Sequence, residues 1–310
     1  MPRIVIPDDE PPVIVPSIAF RRLNDWDVRA YATRPSSPTE LLDRIREAEF
    51  VINVRSTSSF TPEVLQGCHQ LKLISIWGTG TDNVDLVAAR NLGIRVTNTP
   101  GVAAPAVAEH ALTLIFAVAR RIVEVDQQVR TGKWPKATVT GIRGKTLGLI
   151  GTGAIGRELA RLGEALGCRV IAWTFHPKGE FVEWVGFEDV FRRSDIVSVH
   201  VRQSPETVGM IGREQFEMMK PGAIFINTAR GAIVNESDLV EVLRTGRIAA
   251  GLDVFEKEPL PSGSPLFGLP NVVLTPHSAG ATPETTEAGI ALAIENIIRF
   301  IEGRPTNLVG

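Results

Sequence analysis

Between residues 146 and 275 the chain repeats one pattern: a short apolar run of strand length, then a segment with the periodicity of a helix. The runs fall at 146–150, 169–173, 195–201, 223–227, 249–254 and 272–275, with helical segments such as 157–166 and 238–244 between them. A strand that is apolar at every position has no face to give to water, so both faces must be covered, and a helix after each strand lays the next one parallel to it. The pattern predicts a doubly wound parallel sheet. A shorter α/β series precedes it, with strands at 50–54, 71–76 and 94–97 and helices at 41–48 and 84–91. Thr61 followed by Pro62 and Glu63 adds an N-cap with proline at the first helical position. One long helix is expected over 102–130, and a last helix, capped by Thr282 and opened by Pro283, over 283–302. Two alternating series in 310 residues argue for two domains rather than one core. The expected division is 1–99 plus 284–310 against 100–283, with hinges near 99–101 and 280–283.

The first strand of the longer series runs directly into Gly151, Thr152, Gly153, Ala154, Ile155 and Gly156, and a helix-forming segment follows. The spacing G-x-G-x-x-G alone is common. Between a strand and a helix it acquires a mechanism: Gly151 permits the tight turn, Gly153 lets a pyrophosphate approach the backbone, and Gly156 lets the helix pack closely. The N–H groups at the helix start would hold the anion. An acid expected about 20 residues further on, to bind a ribose 2′-hydroxyl, is missing. Thr174 stands at the discriminating place, followed by Phe175, His176, Pro177 and Lys178. Without the carboxylate a 2′-phosphate is not repelled, so NAD and NADP both stay open.

Charge and cysteine content narrow the class. With 33 Lys and Arg against 35 Asp and Glu, the net charge of −2 gives no cationic field of the kind that nucleic acid or an anionic membrane needs. The two cysteines, Cys68 and Cys168, make no disulfide framework and suit a reduced compartment. No secretory signal opens the chain, and the most apolar stretch, 103–119, is too short for a bilayer and carries Glu109 and His110. A cytoplasmic protein is expected. The histidines are dispersed, so no metal site is expected.

Three side chains stand just beyond strand ends of the longer series, where open parallel sheets bind their ligands. They are Arg230, Glu258 and His277. Reducing a carbonyl next to a carboxylate requires a cation that grips the substrate, and a guanidinium does so with two parallel hydrogen bonds. It also requires a proton donor as hydride arrives, which an imidazole titrating near neutrality can be. A carboxylate bonded to that imidazole favours its protonated form.

These residues, with Gly151 to Gly156, Ser204-Pro205-Glu206-Thr207, Asn227-Thr228-Ala229-Arg230-Gly231, Gly251-Leu252-Asp253-Val254-Phe255, Glu258-Pro259 and Thr275-Pro276-His277, resemble the D-isomer-specific 2-hydroxyacid dehydrogenase family over nearly the whole chain. That family includes phosphoglycerate dehydrogenases and glyoxylate or hydroxypyruvate reductases. The resemblance implies a Rossmann dinucleotide-binding domain, a smaller flavodoxin-like domain, and hydride transfer between NAD(P)H and a small 2-oxo acid. It assigns catalysis to Arg230, Glu258 and His277 and the cofactor carboxamide to Asp253. Ala154, Ile155, Thr207, Thr228 and Gly280 are then expected to line the cofactor. It also implies a homodimer, with His110 on the long helix in packing or interface.

For the substrate carboxylate the resemblance points to the turn Trp77, Gly78, Thr79 and Gly80, and to Arg55 and Ser56. Many phosphoglycerate dehydrogenases have an arginine where this chain has Ile76, and the chain ends at Gly310 without a C-terminal regulatory domain. A smaller or more apolar 2-oxo acid is therefore expected. Formate dehydrogenases of this architecture carry glutamine in place of Glu258, and a phosphite-oxidising enzyme fits the triad as well. A dinucleotide-sensing corepressor is the alternative from another class, since fold alone does not separate sensor from enzyme.

Overall fold

The computed structural model describes residues 3–54, 58–136 and 138–310. Two compact units divide the chain: Met1–Ala103 with Ala281–Gly310, and Ala104–Gly280.

In the first unit β1 (Arg3–Ile6), β2 (Asp27–Ala30), β3 (Phe50–Val54), β4 (Leu73–Trp77) and β5 (Arg95–Thr97) form a parallel sheet in the order β2-β1-β3-β4-β5. This is the flavodoxin-like winding. Leu308–Val309 pairs antiparallel with the β5 edge, so the sheet is not wholly parallel as expected. Helices α1 (Pro38–Ile45), α2 (Pro62–Gln66) and α3 (Leu86–Asn91) start at Ser37, Thr61 and Asp85, whose side chains each accept a backbone N–H of the first turn. β1 and β2 are absent from the expected strands for a physical reason. β1 is four residues long and runs into a proline- and acid-rich segment, while β2 lies at the sheet edge with mostly exposed side chains. What makes β2 a strand is its register against β1, from Arg3↔Asp27 to Ile6↔Ala30.

The second unit opens with α4 (Ala104–Ala119) and α5 (Ile122–Arg130). The single long helix expected there is broken at Arg121, which takes a left-handed backbone with φ 51°. The carbonyl of Ala119, which a continuous helix would use internally, accepts from the N–H of Thr140 instead. Then come β6 (Thr146–Ile150), α6 (Ala154–Ala165), β7 (Arg169–Trp173), β8 (Glu183–Trp184), α7 (Phe187–Arg193), β9 (Ile196–Val199), α8 (Arg213–Met218), β10 (Ile224–Asn227), α9 (Glu236–Arg244), β11 (Ala249–Leu252) and β12 (Val272–Leu274). The seven strands lie in the order β8-β7-β6-β9-β10-β11-β12, all parallel. The winding reverses between β6 and β9, which opens a crevice at the C-terminal end of β6. β10 is buried at every position, with α4 packed on one face and its own Phe225 joining Phe191 and Phe216 in the cluster on the other.

Candidate active site

The turn after β6 shows why its glycines are glycines. A Cβ on Gly151 would lie 2.7 Å from the backbone of His200 and Val201, and one on Gly156 would lie 2.2 Å from the carbonyl oxygen of Gly151. Both are backbone clashes that no rotamer relieves. Gly153, the N-cap of α6, faces open space, with nothing within 4 Å of where its Cβ would be. Gly153 and Ala154 are exposed while Gly151 and Gly156 are buried, so the helix start presents bare N–H groups on one side only. In the same unit, Thr228 after β10 is buried with its Oγ1 lacking any partner. An open cradle at a helix N-terminus, together with an unpaired hydroxyl after β10, fits a dinucleotide. Beyond β7, Thr174 is half-buried and Phe175, His176 and Lys178 are exposed, with no carboxylate at the strand end.

His200 forms the floor under that turn. Its Nε2 is 2.9 Å from Ser198 Oγ, its Nδ1 is buried without a partner, and burial pushes its pKa down to about 4. Two residues expected to contact the cofactor also have partners inside the chain. The Thr207 hydroxyl is buried, donates to the Arg202 carbonyl at 2.8 Å and accepts from Ser204 N at 2.7 Å, closing its own loop. Asp253, expected to face a carboxamide, is fully buried, and its two oxygens accept from Thr275 Oγ1, Ser278 N and Ala279 N at 2.6, 2.9 and 3.0 Å. A buried carboxylate collects donors because leaving one unmatched is costly.

Arg230, Glu258 and His277 follow β10, β11 and β12, three neighbouring strands, so the sheet delivers all three to one end. Asn227 holds the first: its side chain donates to the Arg230 carbonyl at 3.0 Å and accepts from Ala229 N at 3.0 Å. Gly231 lets this turn lie on the next loop, since a Cβ there would be 1.9 Å from the Phe255 carbonyl carbon. Phe255 N in turn donates to Glu258 Oε1 at 3.0 Å, and Glu258 Oε2 lies 2.7 Å from His277 Nδ1. Burial works against the Glu258 charge, but the bonds from His277 and Phe255 N and the nearby Arg230 guanidinium outweigh it and hold the carboxyl below its usual range. The His277 ring is therefore fixed by one nitrogen and presents the other, Nε2, outward from a side chain that is 39% exposed.

In the first unit, β4 ends in Trp77, and the glycine turn follows. Gly78 has φ 148° and its N–H donates to Thr99 Oγ1 at 2.8 Å, while Thr79 is exposed. The Trp77 indole does not extend the turn. It packs on the C-terminal helix at Gly289, where a Cβ would be 2.0 Å from its Nε1. Arg55 and Ser56 lie outside the described residues. Asn227 and Thr275 entered the sequence reading only as motif neighbours, and His110 only as a packing or interface residue. Asn227 alone had a readable signal, an Asn at a strand end before a tight turn.

Sheet winding, glycine cradle and strand-end triad together define a dinucleotide-dependent oxidoreductase of the doubly wound class. The profile of the D-isomer specific 2-hydroxyacid dehydrogenase NAD-binding domain matches residues 112–279. A glyoxylate reductase of Thermococcus litoralis is 42% identical over 89% of this chain and 88% of its own length. A hydroxypyruvate reductase of Thermotoga maritima is 41% identical over 84% of this chain and 87% of its own. Among solved structures, an acyclic imino acid reductase in complex with NADPH and D-Arg superposes with a TM-score of 0.93 at 31% identity, covering 99% of this chain and 100% of that one. The chain belongs to the D-isomer-specific 2-hydroxyacid dehydrogenase family, and it is an NAD(P)-dependent oxidoreductase of 2-oxo and 2-hydroxy acids.

Proposed function

We propose that this enzyme reduces a small 2-oxo acid, of the size of glyoxylate or hydroxypyruvate, with His277 as proton donor. The observation that carries the reading is the 2.7 Å bond between His277 Nδ1 and Glu258 Oε2 at the mouth of three adjacent strands. Bound NAD(P)H supplies the hydride. Gly151, Gly153, Ala154, Ile155 and Gly156 hold its pyrophosphate, and Thr174, Thr228 and Gly280 line it. Arg230 grips the substrate carboxylate and polarises the carbonyl. His277 gives its Nε2 proton to the carbonyl oxygen while Glu258 steadies the imidazolium before the transfer and the neutral ring after it. In the oxidative direction the same nitrogen takes the hydroxyl proton. Gly78, whose own N–H is held by Thr99 Oγ1, shapes the turn from which Thr79 and Gly80 present backbone N–H groups to the carboxylate, with Arg55 and Ser56 added by resemblance.

NADPH is accepted as well as NADH, because Thr174 occupies the place of the acid that would repel a 2′-phosphate. The working form is a homodimer in a reducing compartment. Ile122, Val123 and Val129 on α5, and Trp134 at 85% exposure, form an apolar stretch suited to a second copy. Both cysteines are buried and free, and burial pushes the Cys68 thiol to about 11, which keeps it inert.

Stopped-flow reduction of glyoxylate and hydroxypyruvate with each reduced cofactor tests the reading. His277→Ala is expected to lower kcat by about 100-fold or more while reduced cofactor still binds. Turnover equal to the wild type in that variant would sink it.

A further inference from the structure

His110 is half-buried on α4, and its Nε2 lies 2.9 Å from Thr275 Oγ1. The Thr275 hydroxyl is 2.6 Å from Asp253 Oδ1. A hydroxyl has one proton and an ionised carboxylate can only accept, so that proton belongs to Asp253. Thr275 Oγ1 must then accept from His110, and His110 Nε2 must carry a hydrogen. The chain of donors has one direction, from imidazole through hydroxyl to carboxylate.

The far end of that chain is the backbone around His277. Asp253 takes Ser278 N and Ala279 N on its carboxylate at 2.9 and 3.0 Å, and His277 N on its own carbonyl at 2.7 Å. Three successive N–H groups therefore converge on one residue. His277 itself has φ 53°, a left-handed backbone that residues other than glycine hold only when their surroundings impose it. The Asp253 side chain is fully buried. Burial disfavours its charge, and the bonds from His110, from Thr275 and from the N–H groups of Ser278 and Ala279 keep it ionised. Bonds in a chain polarise one another, so losing His110 weakens the Thr275 bond to the carboxylate and leaves a buried charge less well compensated.

We propose that His110 is a positioning residue for proton transfer: through Thr275 and Asp253 it holds the 277–279 turn and with it the left-handed backbone of His277, and so keeps the His277 ring against Glu258. The inference rests on the reading of His277 as proton donor. Among the described residues His110 bonds to Thr275 and Asp253 and not to His277 or Glu258; its effect passes through the turn. Among the described residues the charged group bonded to His277 is Glu258, on Nδ1, and the Arg230 charge acts on Glu258 in turn.

The test compares His110→Leu, which removes the donor, with His110→Gln, whose amide N–H can replace it. Read out are kcat, KM, the Kd of reduced cofactor and the pH profile of kcat/KM for oxo-acid reduction. His110→Leu is expected to lower kcat about tenfold or more, since small misplacements of a reacting group are amplified in rate. Cofactor Kd stays within about twofold, and the alkaline limb of the profile moves to lower pH. His110→Gln recovers most of kcat and restores the limb. Equal losses in both variants with an unmoved limb would assign His110 to packing and overturn the proposal, as would wild-type kcat in His110→Leu. Should His110→Leu not fold, Thr275→Val breaks the same link and must move the same limb. Wild-type turnover in His277→Ala overturns the proton-donor reading and this inference with it. A dead His277→Ala beside an unaffected His110→Leu overturns this inference alone.

Discussion

The two units each carry a glycine turn after a buried parallel strand, and the turns need glycine for different reasons. At Gly156 the reason is space alone, a Cβ meeting backbone at 2.2 Å, and at Gly151 a backbone contact at 2.7 Å adds to a φ of 100°. At Gly78 the reason is conformation, φ 148°, with the nearest atom 3.9 Å from a Cβ. The first turn is wedged over His200 and closed by its own neighbours. The second is set by Trp77, whose indole has room only because a residue on the C-terminal helix, Gly289, lacks a side chain. The first turn is bounded by its own carbonyl and the backbone just after β9, and the second depends on a partner from the far end of the chain.

Gly156→Ala breaks the comparison hardest. Backbone cannot step aside as a side chain can, so a loss of about 3 kcal/mol or more in urea unfolding is expected, with cofactor binding abolished. A silent substitution would mean that the first turn is not space-limited. The floor of the same turn gives a pH signature. His200 stays neutral in the folded state down to about pH 4, whereas an unfolded histidine protonates near 6.5. Below about 6.5 the unfolded chain takes up a proton that the folded chain refuses, so this contribution is complete above that pH, declines as the pH falls and levels off near 4. The decline amounts to at most about 3 kcal/mol, and His200→Gln should flatten that part of the stability profile. An unchanged slope would place the imidazole in contact with water.

Gly289→Ala sharpens the other half. Overpacking against a rigid indole is expected to cost about 1–3 kcal/mol, and adding Trp77→Leu should return part of it. A double-mutant cycle decides: additive losses would show that the two residues do not share one space. The smallest effect belongs to Gly153→Ala, where nothing lies within 4 Å. Thermal stability should move by less than about 0.5 kcal/mol, while titration with NADH shows weaker binding.

The alternation of strands and helices, the Gly151 cradle, the caps at Thr61 and Thr282 and the three strand-end residues were all legible, because each is dictated by neighbours within a few positions. The break at Arg121 was not, since it depends on a bond from Thr140 to a carbonyl that periodicity assigns to the helix. Nor was β2, whose exposed side chains carry no alternation and whose pairing to β1 alone makes it a strand.

The same division runs through the site. Sequence by itself determined which side chains stand beyond β10, β11 and β12 and what chemistry a guanidinium, a carboxylate and an imidazole can perform there. Only the tertiary structure decided that Asp253 is enclosed by Thr275 and the N–H groups of Ser278 and Ala279, that His110 reaches it from α4, and that Trp77 lies on Gly289. The physical reason is range. Propensity, capping and strand-end placement act over a turn or two of chain, whereas a buried charge takes its donors from whatever elements the packing brings within about 3 Å of it.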